Sequence, residues 1–157
     1  MNLLAKKLIN KLKKKKLTIS VAESCTGGLL STTITSTPGS SKVFTAGLVV
    51  YSNKSKIKFL KVSKKIINKH GAVSWQVCLA LLKNVSKITK SSISISITGI
   101  AGPSGATHQK PIGLVYIGIK KNKKFFIRKF LFKNNGRFYI QRIAVNKAIR
   151  LILTFIK

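Results

Sequence analysis

The sequence predicts a three-layer α/β/α domain on a mixed sheet, and three observations predict it. Helical and strand-like periodicities alternate along most of the 157 residues. A nearly unbroken apolar run at 43–51 has the density of a strand buried inside a sheet. A late hairpin at 112–132 adds antiparallel pairing to strands otherwise joined through helices.

Taken in order, Leu4, Leu8 and Leu12 recur every fourth residue, flanked by Ala5 and Ile9, so the first segment is an amphipathic helix with a basic outer face. A short strand over Leu17 to Ala22 leads into the polar turn Glu23-Ser24-Cys25-Thr26-Gly27-Gly28 and a helix to about Ser36, which Thr37-Pro38-Gly39 ends. Val43 to Tyr51 is expected as a strand covered on both faces, delivering Tyr51-Ser52-Asn53. Ser63 and Ser74 are placed to cap helices over 64–70 and 75–89, with Gly71 as the stop between them. Ser91 to Thr98 alternates strictly, with Ile93, Ile95 and Ile97 on one face, which predicts a strand with one buried side. An irregular loop follows from Gly99 to Pro111. Ile112 to Lys120 and Phe125 to Phe132 form the hairpin around 121–124, and Ile140, Ala144, Ala148, Leu151 and Phe155 mark a last helix. No repeat or linker interrupts the pattern, so residues 1–157 are expected to form a single domain large enough to enclose a core.

Charge is the outstanding compositional feature. Thirty-one basic residues stand against one acid, a formal net charge of +30. One reading is an electrostatic footprint for nucleic acid, and this supplies the alternative function of a non-catalytic basic binding module. Nucleic-acid binders cluster their charge and interleave stacking aromatics, whereas lysine here runs through almost every segment, together with isoleucine and asparagine. All three residues have AT-rich codons, so compositional drift accounts for them, and no specific nucleic-acid partner is expected. Cys25 and Cys78 have neither disulfide-framework nor metal-ligand spacing, which suggests a reduced, cytoplasmic protein. The N-terminal run has no unbroken apolar stretch of the kind a signal peptide or membrane span needs.

Counting excludes several chemistries. With Glu23 as the sole carboxylate, paired-carboxylate hydrolysis and carboxylate-based metal sites are ruled out, and a Ser-His-Asp triad lacks its aspartate. His70 sits at a helix end and His108 in the long loop. Neither metal nor cofactor is expected. What remains is nucleophilic chemistry with a lysine or tyrosine as proton acceptor, and Ser24 lies at a strand-to-helix turn beside unpaired backbone N–H groups suited to an oxyanion. The residues alone leave alternatives open. Ser24 or Thr26 can serve as a helix cap, Tyr51 as a strand-end tyrosine, Thr98 as a local hydrogen-bonder and Arg137 as a helix start. Lys54 and Lys58 compete with Lys56 for any role given to a lysine.

Ala22-Glu23-Ser24-Cys25-Thr26-Gly27-Gly28 resembles the A-E-S-C-T-G-G signature of the CinA C-terminal domain family. Further blocks agree in order: Pro38-Gly39-Ser40-Ser41, Tyr51-Ser52-Asn53 with Lys56, His70-Gly71-Ala72-Val73-Ser74, and Thr98-Gly99-Ile100-Ala101-Gly102-Pro103 followed by Lys110-Pro111-Ile112-Gly113. The resemblance covers nearly the whole chain. It implies a nicotinamide-nucleotide amidohydrolase, converting nicotinamide mononucleotide to nicotinic acid mononucleotide and ammonia in pyridine nucleotide salvage. By the same resemblance Ser24 is the nucleophile, assisted by Tyr51 and Lys56, with Glu23, Thr26, Gly27, Ser41, Asn53, Thr98, Gly99 and Arg137 around the substrate. A desolvated lysine among other cations has a lowered pKa and can take the serine proton. The resemblance further implies a stand-alone form, without the molybdopterin-binding-like domain of longer relatives, that assembles as a homodimer or higher homo-oligomer. Two departures stand out. Asn135-Gly136-Arg137 replaces the usual Gly-Asp-Arg and loses the acid beside the arginine, and the 106–110 loop lacks the acids common there, so it is expected to keep its conformation with inverted charge.

Overall fold

The computed structural model describes residues 2–156. In chain order the helices are α1 (Asn2–Lys14), α2 (Leu29–Thr35), α3 (Asn53–Leu60), α4 (Lys64–His70), α5 (Trp75–Thr89) and α6 (Arg137–Phe155). The strands are β1 (Ile19–Glu23), β2 (Phe44–Val49), β3 (Ile93–Gly99), β4 (Leu114–Lys121) and β5 (Lys124–Leu131), and a short 3-10 turn spans Ser40–Lys42. They form one five-stranded sheet in the order β2-β1-β3-β4-β5. β1 runs parallel to β2 and β3, and the β4–β5 hairpin continues antiparallel from β3. The expected mixed α/β sheet is present.

Strand alternation sorts the layers. Ile19, Val21, Ile93, Ile95 and Ile97 join Ile117 and Ile119 in the larger core, against Leu8 and Leu12 of α1, Leu30 and Ile34 of α2, and Ala144, Ala148 and Ile152 of α6. The opposite face receives α5, with Ala22 packing among Leu60, Ile67, Val77, Leu81 and Val85. Here the structure corrects the one-sided reading of the Ser91–Thr98 segment, because Ser94 and Ser96 are also fully buried, under α5. Their hydroxyls are paired: Ser94 Oγ lies 3.2 Å from Ser20 Oγ, and Ser96 Oγ donates to the Cys78 carbonyl at 2.8 Å. Small residues suit this face because α5 lies close. A Cβ at Gly118, which is in register with Ser96, would stand 2.7 Å from Ser96 Oγ and 3.1 Å from Leu82 Cδ2.

Three further expectations are corrected. β2 is an edge strand whose residues alternate between half-buried and exposed, not a strand covered on both sides. The segment after Tyr51 is a helix that the sequence reading did not assign, begun by a reciprocal capping box between Ser52 and Ser55. Ser74 caps α5 through the Val77 amide as expected, but the Ser63 side chain makes no cap bond to α4.

Glu23 decides the position of the turn that follows β1. It is fully buried, on the same face as Ile19 and Val21, and its carboxylate reaches the start of α2. Oε2 accepts from the Leu30 amide at 3.0 Å, while Oε1 accepts from the Ser31 amide at 2.7 Å and the Ser31 hydroxyl at 2.6 Å. The chain's sole carboxylate thus supplies the cap that α2 lacks at Gly28, and a negative charge at a helix N-terminus is favourably placed. Glu23, which the resemblance implied beside the substrate, thus anchors the 24–28 turn and does not line the cavity that follows the strand ends.

Glu23→Gln keeps the shape while putting an NH2 where three donors converge. It should cost about 2–4 kcal/mol through unpaired buried donors, a fall of about 5–15 °C in melting temperature for a chain of this size. Unchanged thermal unfolding would show that α2 holds the turn without the carboxylate.

Candidate active site

The carboxyl ends of three parallel strands, the usual place for ligands in open α/β sheets, converge on one cavity. β1 leads into Ser24, β2 into Tyr51 and Asn53, and β3 into the loop from Gly99 to Gly105. Adjacent strands bind these exits together, since the Ser24 amide donates to the Ile97 carbonyl at 3.0 Å and the Val50 amide to the Glu23 carbonyl at 2.8 Å. The cavity measures about 250 Å³ and is lined by Ser24, Tyr51, Asn53, Lys56, Thr98, Gly99 and Arg137, all expected from the sequence. Cys25, Ala72, Val73 and Gly102 also line it and had been given no role.

Ser24 and Glu23 are neighbours with opposite fates. Alternation sends Glu23 toward α2 and leaves Ser24, almost buried, on the cavity side. The Ser24 hydroxyl holds no hydrogen bond among the described residues, so its proton is not committed to a cap. The Cys25 and Thr26 amides donate to no backbone carbonyl among the described residues, and of the two residues Cys25 lines the cavity.

Lys56 is the least expected side chain to find buried, and it is 1% exposed. It sits in the second turn of α3, and its ammonium donates to the Tyr51 carbonyl at 3.0 Å. Among the described residues no carboxylate neutralises it. Burial lowers its pKa from the ordinary 10.5. A thiolate at Cys25 would oppose this, but burial pushes that thiol up to about 12 and keeps it neutral, so desolvation governs. This burial separates Lys56 from Lys54 and Lys58, which are exposed on the same helix.

Arg137, at the start of α6, closes the mouth. Its guanidinium donates to the Gly102 carbonyl at 2.8 Å and to the Tyr51 hydroxyl, and stands 5.9 Å from the Tyr51 ring centre. The acid missing from the Asn135-Gly136-Arg137 sequence is thus replaced by a carbonyl and a phenol as the groups that orient the arginine. Because Tyr51 accepts there, its own proton remains available to a ligand. Thr98 is fixed by a bond from its hydroxyl to the Ala72 carbonyl at 2.9 Å.

Besides Glu23, three expected contacts lie outside this cavity. Thr26 is buried with Oγ1 unpaired and does not line the cavity, Gly27 is exposed in the turn with a positive φ, and Ser41 is exposed on the 3-10 turn. A larger concavity of about 650 Å³ follows α6 past Arg137, Phe138, Tyr139, Arg142 and Asn146. It contains no serine, cysteine or lysine to act as nucleophile or base, so the smaller cavity is the chemically competent one. Among the described residues no three His, Cys, Asp or Glu side chains gather to hold a metal, and no helix is long and apolar enough to cross a membrane.

A family model described as the CinA C-terminal domain matches residues 1–156. The chain belongs to this family. A Clostridium botulinum (strain Langeland) protein named as competence-damage inducible is 46% identical over 142 residues, 90% of this chain and 34% of that protein. A Caldanaerobacter subterraneus protein of the same name is 46% identical over 128 residues, 82% of this chain and 31% of that one. The chain therefore spans about a third of the length of these curated relatives. Among solved structures, competence/damage inducible protein CihA from Agrobacterium tumefaciens superposes with a TM-score of 0.96 at 31% identity, covering 99% of this chain and 95% of that one. A CinA superfamily protein from Escherichia coli gives 0.93 at 27% identity, covering 98% and 89%.

The buried amine makes a prediction about stability. Lys56 binds its proton less tightly in the folded chain than in the unfolded one, so stability rises with pH from the lowered pKa up to about 10.5. Against Lys56→Met, which has no proton to release, the wild type should gain melting temperature as pH is raised toward about 10. A difference between the two proteins that does not change with pH would mean that the ammonium is not desolvated.

Proposed function

We propose that the chain hydrolyses the carboxamide of nicotinamide mononucleotide, giving nicotinic acid mononucleotide and ammonia, with Ser24 as nucleophile and Lys56 as general base. The observation that carries this reading is one small cavity holding a serine with an uncommitted hydroxyl and a buried lysine whose pKa is lowered. The resemblance of the Ser24 turn and the later blocks to the CinA C-terminal signature supplies the substrate.

The steps follow from the chemistry of the residues. Neutral Lys56 accepts the Ser24 proton as Oγ attacks the carboxamide carbon, and the amide of Cys25, which lines the cavity, is the donor offered to the oxyanion. Collapse expels ammonia, which takes its proton from the Lys56 ammonium, and leaves a Ser24 ester. Water attacks that ester with Lys56 again as base, releasing the carboxylate and restoring Ser24. Tyr51 lends its free phenolic proton to the intermediate, and Arg137 faces the anionic end of the nucleotide, where a guanidinium suits a phosphate.

In an ammonia-release assay with nicotinamide mononucleotide and no added metal or cofactor, Ser24→Ala and Lys56→Met should each lower kcat by at least about 10³, and the double variant should be little worse than either. Tyr51→Phe should lose about 10 to 100-fold. Ser24→Ala should still bind nucleotide. Retained turnover in Ser24→Ala together with its loss in Thr26→Val would move the nucleophile to Thr26, and abolition by chelator with recovery on zinc would overturn the serine mechanism.

A further inference from the structure

The cavity has two irregular walls that come from distant parts of the sequence. One is the α4–α5 turn, contributing Ala72 and Val73, and the other is the loop from Gly99 to Gly105. The first wall is tied through three consecutive carbonyls. Gly71 O accepts from the Ser74 hydroxyl at 2.9 Å, within the turn itself, and Ala72 O from Thr98 of β3. His70 O accepts from the ammonium of Lys110 at 2.5 Å, across forty residues of sequence.

We infer that Lys110 is a positioning residue for the cavity, a cationic strap that holds the 99–110 loop against the C-terminal end of α4 and so sets the separation of the two walls. This rests on the active-site reading of that cavity. Three observations carry it. The ammonium sits at the carbonyl end of α4, where the helix dipole favours a positive charge. Gly71 makes room for it, since a Cβ there would stand 2.7 Å from Lys110 Nζ. The lysine's backbone is held in place by Thr107, whose amide donates to Lys110 O at 3.0 Å, whose carbonyl accepts from Lys110 N at 3.1 Å, and whose hydroxyl accepts from the same amide at 3.1 Å.

Residues 103–109 are all exposed, and the chain is gripped by the sheet again only where Gly113 N donates to Ile100 O. Gly102, whose carbonyl orients Arg137, lies within this loop. Loosening the strap therefore disturbs the groups that receive substrate more than Ser24 or Lys56, which stand on β1 and α3. A side chain of similar length without the charge loses the bond, while arginine keeps both charge and donors.

The test compares wild type, Lys110→Met and Lys110→Arg in two ways. Amide hydrogen exchange of the free protein should quicken about tenfold or more in 70–74 and at the bonded amides of Thr107 and Lys110 for Lys110→Met, with the core strands unchanged, and return toward wild type in Lys110→Arg. In the ammonia assay, Lys110→Met should raise KM for nicotinamide mononucleotide about tenfold with kcat within about threefold, again rescued by arginine. Unaltered exchange in both segments would overturn the strap. Local exchange changes with kcat and KM both unmoved would overturn its role in the cavity. If wild type itself shows no amidase turnover, the substrate reading fails while the exchange comparison still decides the strap.

Discussion

A single buried carboxylate organises the part of the molecule that matters most. Glu23 stands at the last position of β1, and its two oxygens take up two amides and a hydroxyl at the start of α2. This joins a central strand to the helix after it and leaves only the 24–28 turn between two fixed ends. In a chain with thirty-one cations a carboxylate would be drawn into surface ion pairs, yet this one is fully buried and satisfied by backbone and hydroxyl donors. The turn's geometry therefore does not depend on the screening that weakens exposed charge pairs. Ser24 inherits that rigidity, which a nucleophile needs in order to meet a substrate in one geometry.

The second constraint is the buried ammonium of Lys56, and it works in the opposite sense. Glu23 is stabilised by its donors, whereas Lys56 has one carbonyl and no counter-ion among the described residues. Such a lysine is a poor contribution to stability and a good proton acceptor, because burial penalises only its charged form. The two groups divide the work between them, one holding the frame and the other kept uncomfortable inside it. Around them, Arg137 is set by Gly102 and Tyr51, so the cavity mouth carries a guanidinium with no acid bonded to it among the described residues.

Much of the architecture was legible in the sequence, and the misses have physical causes. The order and type of most elements followed from periodicity and from glycine and proline punctuation. The α3 helix was missed because Asn53-Lys54-Ser55-Lys56-Ile57-Lys58 shows almost no apolar stripe, and one of its inward positions is a lysine. β2 was read as covered because its residues are small and apolar, a composition that an edge strand shares. β3 was read as one-sided because its serines count as polar, although paired hydroxyls under a closely packed helix are as buried as the isoleucines. At the site, Ser24, Tyr51, Lys56, Asn53, Thr98, Gly99 and Arg137 do share a cavity. Glu23 does not line that cavity, as strand alternation, which puts neighbours on opposite faces, already indicates. Cavity lining by Ala72, Val73 and Gly102 had no chemical signature, since these residues act through backbone and shape.

The proposed chemistry depends on the Glu23-anchored turn presenting Ser24 as the attacking group. The most direct measurement is acid quenching of the protein during turnover of nicotinamide mononucleotide, followed by mass spectrometry of the peptides. A nicotinoyl-mononucleotide ester should be found on Ser24, formed in wild type and absent from Ser24→Ala. An adduct on Cys25 or Thr26, or full turnover in Ser24→Ala, would contradict it.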